Sequence, residues 1–185
     1  MIHLGHSTGG GEVIRYVAKH ENGRISKAVL VSAVTPIIVQ NKNNPNGVPI
    51  SVFDDIRNNT ANHRQQFFID LTFPFYNYNR EEAKISEGIQ KNWRRQRMNS
   101  SIKVHYDYVK AFSETDFTEY LKSVDIPVLV MHGEDDQIVP FETTGKVVPA
   151  LLKNGKLIPY SEFPHGIPTT EAETINKNLL TFFTL

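Results

Sequence analysis

Gly5-His6-Ser7-Thr8-Gly9, followed by Gly10 and Gly11, is the stretch from which the rest of this 185-residue chain can be ordered. It carries the pattern G-x-S-x-G. Before it stands the short apolar stub Ile2 to Leu4, and after it Val13, Ile14, Val17 and Ala18 recur at helical spacing. The serine therefore falls on a sharp turn from strand to helix, where its hydroxyl is displayed for nucleophilic attack. A side chain two residues before or after Ser7 is expected to collide across such a turn, which is the physical reason for glycine at positions 5 and 9. The competing reading is a chance Gly-rich turn. The helix is expected to stop at Asn22-Gly23.

Working outward, three apolar runs read as strands buried on both faces: residues 27–32, 127–132 and the weaker 156–160. Residues 1–4 are the end of a fourth. Helical periodicity lies between them, at residues 11–20, at 141–152 with Pro149 expected to break or kink it, and at 171–183. Strands alternating with helices indicate an α/β class with a parallel sheet. One connection, residues 34–126, is too long for a simple crossover. Helical spacing over 51–71, 80–97, 100–112 and 116–124 makes it a helical lid inserted into a single domain of residues 1–185. Phe73, Phe75, Tyr76, Tyr78, Trp93, Tyr106, Tyr108 and Phe112 suit an apolar pocket lining, although most of them are expected to pack the lid on itself.

A serine nucleophile needs a base, and the base needs an acid to orient it. In a strand–elbow–helix frame they follow in the order serine, acid, histidine, with the acid on a loop after a later strand. Glu134, Asp135 and Asp136 all lie on the loop after 127–132. Asp136, three residues after Gly133 and four before Pro140, is the preferred acid, with Asp135 the alternative. Asp135 and Glu134 are otherwise expected to be solvated or to cap the next helix. Of seven histidines, only His165 follows the last strand, precedes the last helix and is held by a flanking Pro164 and Gly166. His6 and His132 are expected to pack or to bond backbone. His3, His20, His63 and His105 have no partner pattern, and no H-x-x-x-H spacing marks a metal site. The basic run Lys91, Arg94, Arg95 and Arg97 reads as a solvated lid face rather than an anion site.

Composition narrows the field. Lys+Arg 20 balances Asp+Glu 20, so no net charge draws the chain to nucleic acid or to a membrane surface. The absence of cysteine removes disulfides, thiol nucleophiles and thiolate metal ligands. Neither a signal peptide nor a membrane-spanning run is legible, and the expected location is cytoplasmic.

These stretches together resemble the cofactor-free haloperoxidase and arylesterase branch of the α/β-hydrolases. The resemblance rests on residues 5–13, on His132-Gly133-Glu134-Asp135-Asp136-Gln137-Ile138-Val139-Pro140 with its continuation to Lys146, and on Phe163-Pro164-His165-Gly166. Residues 72–76 and 112–117 are also similar. It implies Ser7 as nucleophile, His165 as general base, Asp136 as the orienting acid and the Thr8 amide in the oxyanion hole. It also implies hydrolysis of small carboxylic esters through an acyl-enzyme, with water or hydrogen peroxide as acyl acceptor, and with no cofactor and no metal. Oligomeric state is not implied. The family pattern carries several strands and a second oxyanion loop ahead of the elbow, which are not in this sequence. The elbow strand is therefore expected to be an exposed sheet edge. Two readings stay open: a fragment of a working enzyme, or a non-catalytic hydrolase-like binding module.

Overall fold

Ala28, Val29, Leu30 and Val31 are successive residues and all are buried, so their strand has protein on both faces. The computed structural model, which describes residues 1–20 and 23–184, shows how. Strands β1 (Ile2–His6), β2 (Lys27–Val31), β3 (Val128–Gly133) and β4 (Gly155–Tyr160) form one sheet in the order β1-β2-β3-β4. Every pairing is parallel. Ala28, Leu30, Val128 and Val130 point to one core with Ile14 and Val17 of helix α1 (Thr8–His20). Val29, Val31, Leu129 and Met131 point to the other, with Ile175 and Phe182 of the C-terminal helix, Ala172–Thr184. Period-two alternation thus feeds two separate cores, and each fully buried aliphatic side chain contributes about 1.5–3 kcal/mol. The expected helix stop at Asn22 lies outside the described residues, while Gly23 has φ +82°, a left-handed backbone that suits glycine.

Between β2 and β3 stand six helices: α2 (Ile50–Asn62), α3 (Arg64–Asp70), α4 (Thr72–Phe75), α5 (Glu87–Met98), α6 (Ile102–Ser113) and α7 (Thr118–Ser123). They carry two further apolar clusters. Phe53, Val109 and Phe117 pack with Val34 to Val39 beyond the end of β2, while Phe68, Phe75, Tyr76, Tyr78 and Trp93 form an aromatic group of their own. Several ties hold this layer over the C-terminal ends of the strands, two of them hydrogen bonds beyond β4 and β3. The Gly166 amide, beyond β4, donates to the Phe75 carbonyl (2.8 Å), and the Asn77 side chain donates to Asp135, beyond β3 (2.7 Å).

Three helical expectations change in the structure. The run 51–71 is two helices, broken at His63 (φ −141°, ψ 26°). The run 80–97 begins only at Glu87, where the Ser86 hydroxyl caps it by accepting from the Ile89 amide. The run 141–152 contains no α-helix, only two short 3₁₀ turns, Phe141–Thr143 and Val148–Ala150. Pro149 cannot donate, and Thr144 between the turns leaves helical space (φ −128°, ψ −93°). Beyond β4 come the short helix α8 (Ile167–Thr170) and the C-terminal helix, α9. At the other end of the sheet β1 pairs only with β2 among the described residues, and Ile2 and Leu4 are 37% and 45% exposed.

Candidate active site

The turn between β1 and α1 is held from below. The Ser7 amide donates to the Val31 carbonyl (2.8 Å), and the Ser7 carbonyl accepts from Gly10 (3.0 Å) and Val34 (3.3 Å). Ser7 itself has φ 57°, a left-handed conformation that a serine adopts only when its surroundings over-determine it, at a cost of about 1–3 kcal/mol. Gly5 is required as expected, since a Cβ there would run into the Gly9 carbonyl. Gly9 is not. A Cβ at Gly9 meets nothing within 4 Å, because it opens outward from the first turn of α1. The two ends of the motif are thus small for different reasons, and only the first is steric among the described residues.

His165 sits between β4 and α8 and is buried. Its Nε2 is 2.9 Å from Ser7 Oγ, and its Nδ1 is 2.8 Å from Asp136 Oδ2. The ring is gripped by Phe75 edge-on (centroids 4.7 Å apart) and by the His6 ring (4.9 Å). His6 explains part of the rigidity. Its Nε2 is 2.9 Å from the His165 carbonyl, which can only accept, so Nε2 carries the proton. Burial, and then the neighbouring His165, push the pKa of His6 down to about 4, leaving it neutral at pH 7.

Asp136 is the acid that the fold brings to His165, and it is buried in a cradle of donors. Oδ1 accepts the amides of Ile138 (2.9 Å) and Val139 (2.8 Å), Oδ2 accepts from His165, and His132 Nε2 lies 3.2 Å from Oδ2. Burial alone would raise its pKa. The two imidazoles outweigh burial and hold the carboxyl well below the usual carboxylate range. An ionised Asp136 requires a proton on His165 Nδ1, which leaves the Nε2 lone pair facing the Ser7 hydroxyl. Such a chain can take a proton from Ser7 Oγ and return it. His132 was expected to pack or to bond backbone, and it does donate toward the Val139 carbonyl (2.9 Å). Its approach to Asp136 was not legible, because the three intervening residues do not reveal how sharply the loop turns.

The neighbouring carboxylates do other work. Asp135 is partly solvated, as expected, but it also bonds Asn77 and forms an ion pair with Arg80, tying the loop to the helical layer. Glu134 accepts from the Ser161 hydroxyl (3.1 Å). Thr8 opens α1, so its amide has no intrahelical acceptor and stands beside Ser7. Tyr108 of α6 comes close to Thr8, with its own hydroxyl donating to Glu12. Of the eight aromatics named from sequence, Phe75, Tyr76 and Trp93 line a cavity of about 230 Å³ with His6, Arg97 and Gly166. Tyr106 is exposed, and Phe112 packs edge-on against Phe53.

A parallel sheet with helices on both faces and a serine elbow backed by histidine and aspartate point to one fold family. Residues 2–167 match the model of the alpha/beta hydrolase fold, and the chain belongs to that family. Among curated proteins it is 57% identical, over 98% of its length, to a bifunctional esterase/perhydrolase of Acinetobacter calcoaceticus. It is 50% identical, over 98% of its length, to a non-heme haloperoxidase of Rhodococcus erythropolis. A bromoperoxidase from Bacillus anthracis superposes with a TM-score of 0.94 at 31% identity, covering 100% of this chain and 67% of that one. The chain spans 66% of the Acinetobacter protein and 67% of the Rhodococcus protein.

Proposed function

We propose that this chain carries the serine hydrolase centre of an esterase that acts on small carboxylic esters through an acyl-enzyme, with perhydrolysis as a second outcome. The observation that carries the reading is the unbroken chain from Asp136 through His165 to a serine held at positive φ. The esterase/perhydrolase and haloperoxidase names of its relatives support the same reading.

In this reading Ser7 Oγ bonds to the ester carbonyl carbon as its proton passes to His165 Nε2. The resulting imidazolium is stabilised by Asp136. The carbonyl oxygen gains the negative charge and takes a hydrogen bond from the Thr8 amide; one such donor contributes about 10²–10³ in turnover. Collapse breaks the bond to the alcohol oxygen, which leaves with the proton from His165. Water then attacks the acyl-enzyme, again through His165, and releases the carboxylic acid. Hydrogen peroxide in place of water releases the peracid, with no change of oxidation state at the enzyme and no cofactor. The helices between residues 34 and 126 act as a lid whose aromatics select small or aryl acyl groups. No described helix is long and apolar enough to cross a membrane. A cytoplasmic location, a single domain and a lack of affinity for nucleic acid complete the proposal, on the composition given above.

The test is covalent labelling with a fluorophosphonate, followed by mapping of the adduct. Wild type is expected to be labelled at Ser7, and Ser7→Ala to lose hydrolysis of p-nitrophenyl acetate by about 10⁴–10⁶ in turnover. More than a tenth of the activity left in Ser7→Ala would exclude Ser7 as nucleophile. A folded wild type that takes no label would instead be a hydrolase-like binding module.

A further inference from the structure

The basic run on α5 was expected to be one solvated face, and most of it is. Lys91 pairs with Glu87 at the surface and Arg95 donates to Asn92. Arg97 is exposed as well, but its setting differs. Its guanidinium lies over the Trp93 ring, 4.8 Å from the centroid, and it lines the cavity with His6, Phe75, Tyr76 and Gly166. No carboxylate is within ion-pair distance of Arg97 among the described residues. Although the residue keeps solvent-exposed surface, partial burial depresses the pKa of its guanidinium, and the phenols of Tyr76 and Tyr108 act on it in the opposite sense. The Arg97 charge also acts on His6. His6 flanks Ser7 in the chain, and the charge also acts on Tyr108, near Thr8 on the other side of the serine. A cation stacked on an aromatic face at the mouth of a cavity, with no carboxylate within ion-pair distance among the described residues, is available to pair with an anion.

We propose that Arg97 is a specificity-determining residue and that the preferred substrate is an anionic half-ester, whose free carboxylate pairs with Arg97 while its ester carbonyl meets Ser7. This rests on the hydrolase reading above for the position of the ester. The chemistry suits a guanidinium: its planar fork bonds both oxygens of a carboxylate, and the neutral phenols around it leave the charge uncompensated until substrate arrives. Lys91, Arg94 and Arg95 do not line this cavity, and Arg94 reaches instead to the Gln65 side chain, so the selection is expected to belong to Arg97 alone.

Trp93 is the one tryptophan in the chain, so its emission reports occupancy at Arg97 directly. In the Ser7→Ala chain, where ester binding is read without turnover, monomethyl glutarate is expected to shift Trp93 emission saturably. It should bind about ten- to a hundredfold more tightly than neutral dimethyl glutarate. Adding Arg97→Gln should abolish the difference, and Arg97→Lys should keep part of it. With Ser7 intact, Arg97→Gln should lower kcat/KM for the half-ester about ten- to a hundredfold and for the diester less than threefold. Equal binding of the two esters, or equal losses in Arg97→Gln, would overturn the proposal. So would binding of glutarate itself without the half-ester, which would make the cavity a site for free acid. Preferential half-ester binding with no turnover of either ester would sink the hydrolase reading and leave the Arg97 assignment standing.

Discussion

Asp136→Asn removes a charge while keeping the shape, and the cradle allows the outcome to be worked through bond by bond. Two acceptor sites of Asp136 face backbone amides, from Ile138 and Val139, and two face imidazoles, from His165 and His132. Asparagine has one oxygen and one NH₂ group. If the oxygen stays on the amides, the NH₂ group faces both rings. His132 must still donate to the Val139 carbonyl, so it cannot turn acceptor. His165 can, by moving its proton from Nδ1 to Nε2, but that places N–H against Ser7 Oγ, 2.9 Å away, where the lone pair is needed. If the amide flips instead, its NH₂ group opposes two backbone N–H groups. Either way a buried bond is lost, at about 1–3 kcal/mol of stability, and in the first arrangement the base is gone. The expected loss in turnover is about 10⁴, equivalent to about 5.4 kcal/mol of barrier. Asp135→Asn is the control. It loses the partly exposed ion pair to Arg80 and leaves the serine–histidine bond intact, so it should cost under tenfold. The assay is hydrolysis of p-nitrophenyl acetate near pH 7.5, with thermal unfolding to show that each variant is folded. Retention of more than a tenth of the activity in Asp136→Asn, or a larger loss in Asp135→Asn, would refute this assignment of the acid.

The two glycines of the elbow should separate. Gly5→Ala places a Cβ on the Gly9 carbonyl and is expected to cost about 1–3 kcal/mol in urea unfolding together with most of the activity. Gly9→Ala meets open space in a helical turn and should be neutral or stabilising by up to about 1 kcal/mol; equal costs would show that the turn is not arranged as described. His6 should set part of the acid limit. It binds a proton below pH 6.5 when unfolded but only below about 4 when folded, so between those values the unfolded chain holds more protons and stability falls as pH falls. Between pH 7 and pH 4.5 this is about 2–3 kcal/mol, and His6→Gln, whose amide can still donate to the His165 carbonyl, should not lose that portion. Parallel stability–pH curves for the two proteins would remove His6 from the account.

What could be read in advance follows from how local each cause is. β2 and β3 were legible because a run such as Ala28-Val29-Leu30-Val31 has no polar face to give to water, whatever surrounds it. Ser7, Asp136 and His165 were legible because chain order and short-range spacing carry their chemistry. The failures are tertiary. Phe141, Val148 and Leu152 keep helical spacing, but Gly145 between them packs directly on the His132 ring, and an unbroken helix does not deliver it there. The break at His63 has no local breaker either. Arg64 beyond it bonds the carbonyls of Met98 and Ser100, and Phe68 turns edge-on to Trp93. Two starts were missed although a capping serine marks each: Ser86 and Ser101 both cap the helices that follow them.

Arg97 shows why charge patterning is a weaker guide than apolar patterning. An apolar residue has one favourable environment, so its periodicity reports the fold. A long cationic side chain has several, because its stem can lie along an apolar wall while its head faces solvent, a carboxylate or an aromatic ring. Trp93 and Arg97 are four apart on α5, a spacing that puts them on one helical face and therefore fits a solvated stripe as well as a stack. The deciding fact is where the ring goes. Trp93 is buried against Phe68 and Phe75, and Phe75 in turn holds His165. The tryptophan is drawn toward the site by burial of its own surface, and the arginine stacked on it is carried along. A basic residue beside a buried aromatic is thus aimed by the aromatic, and its function follows from the place to which hydrophobic packing brings it.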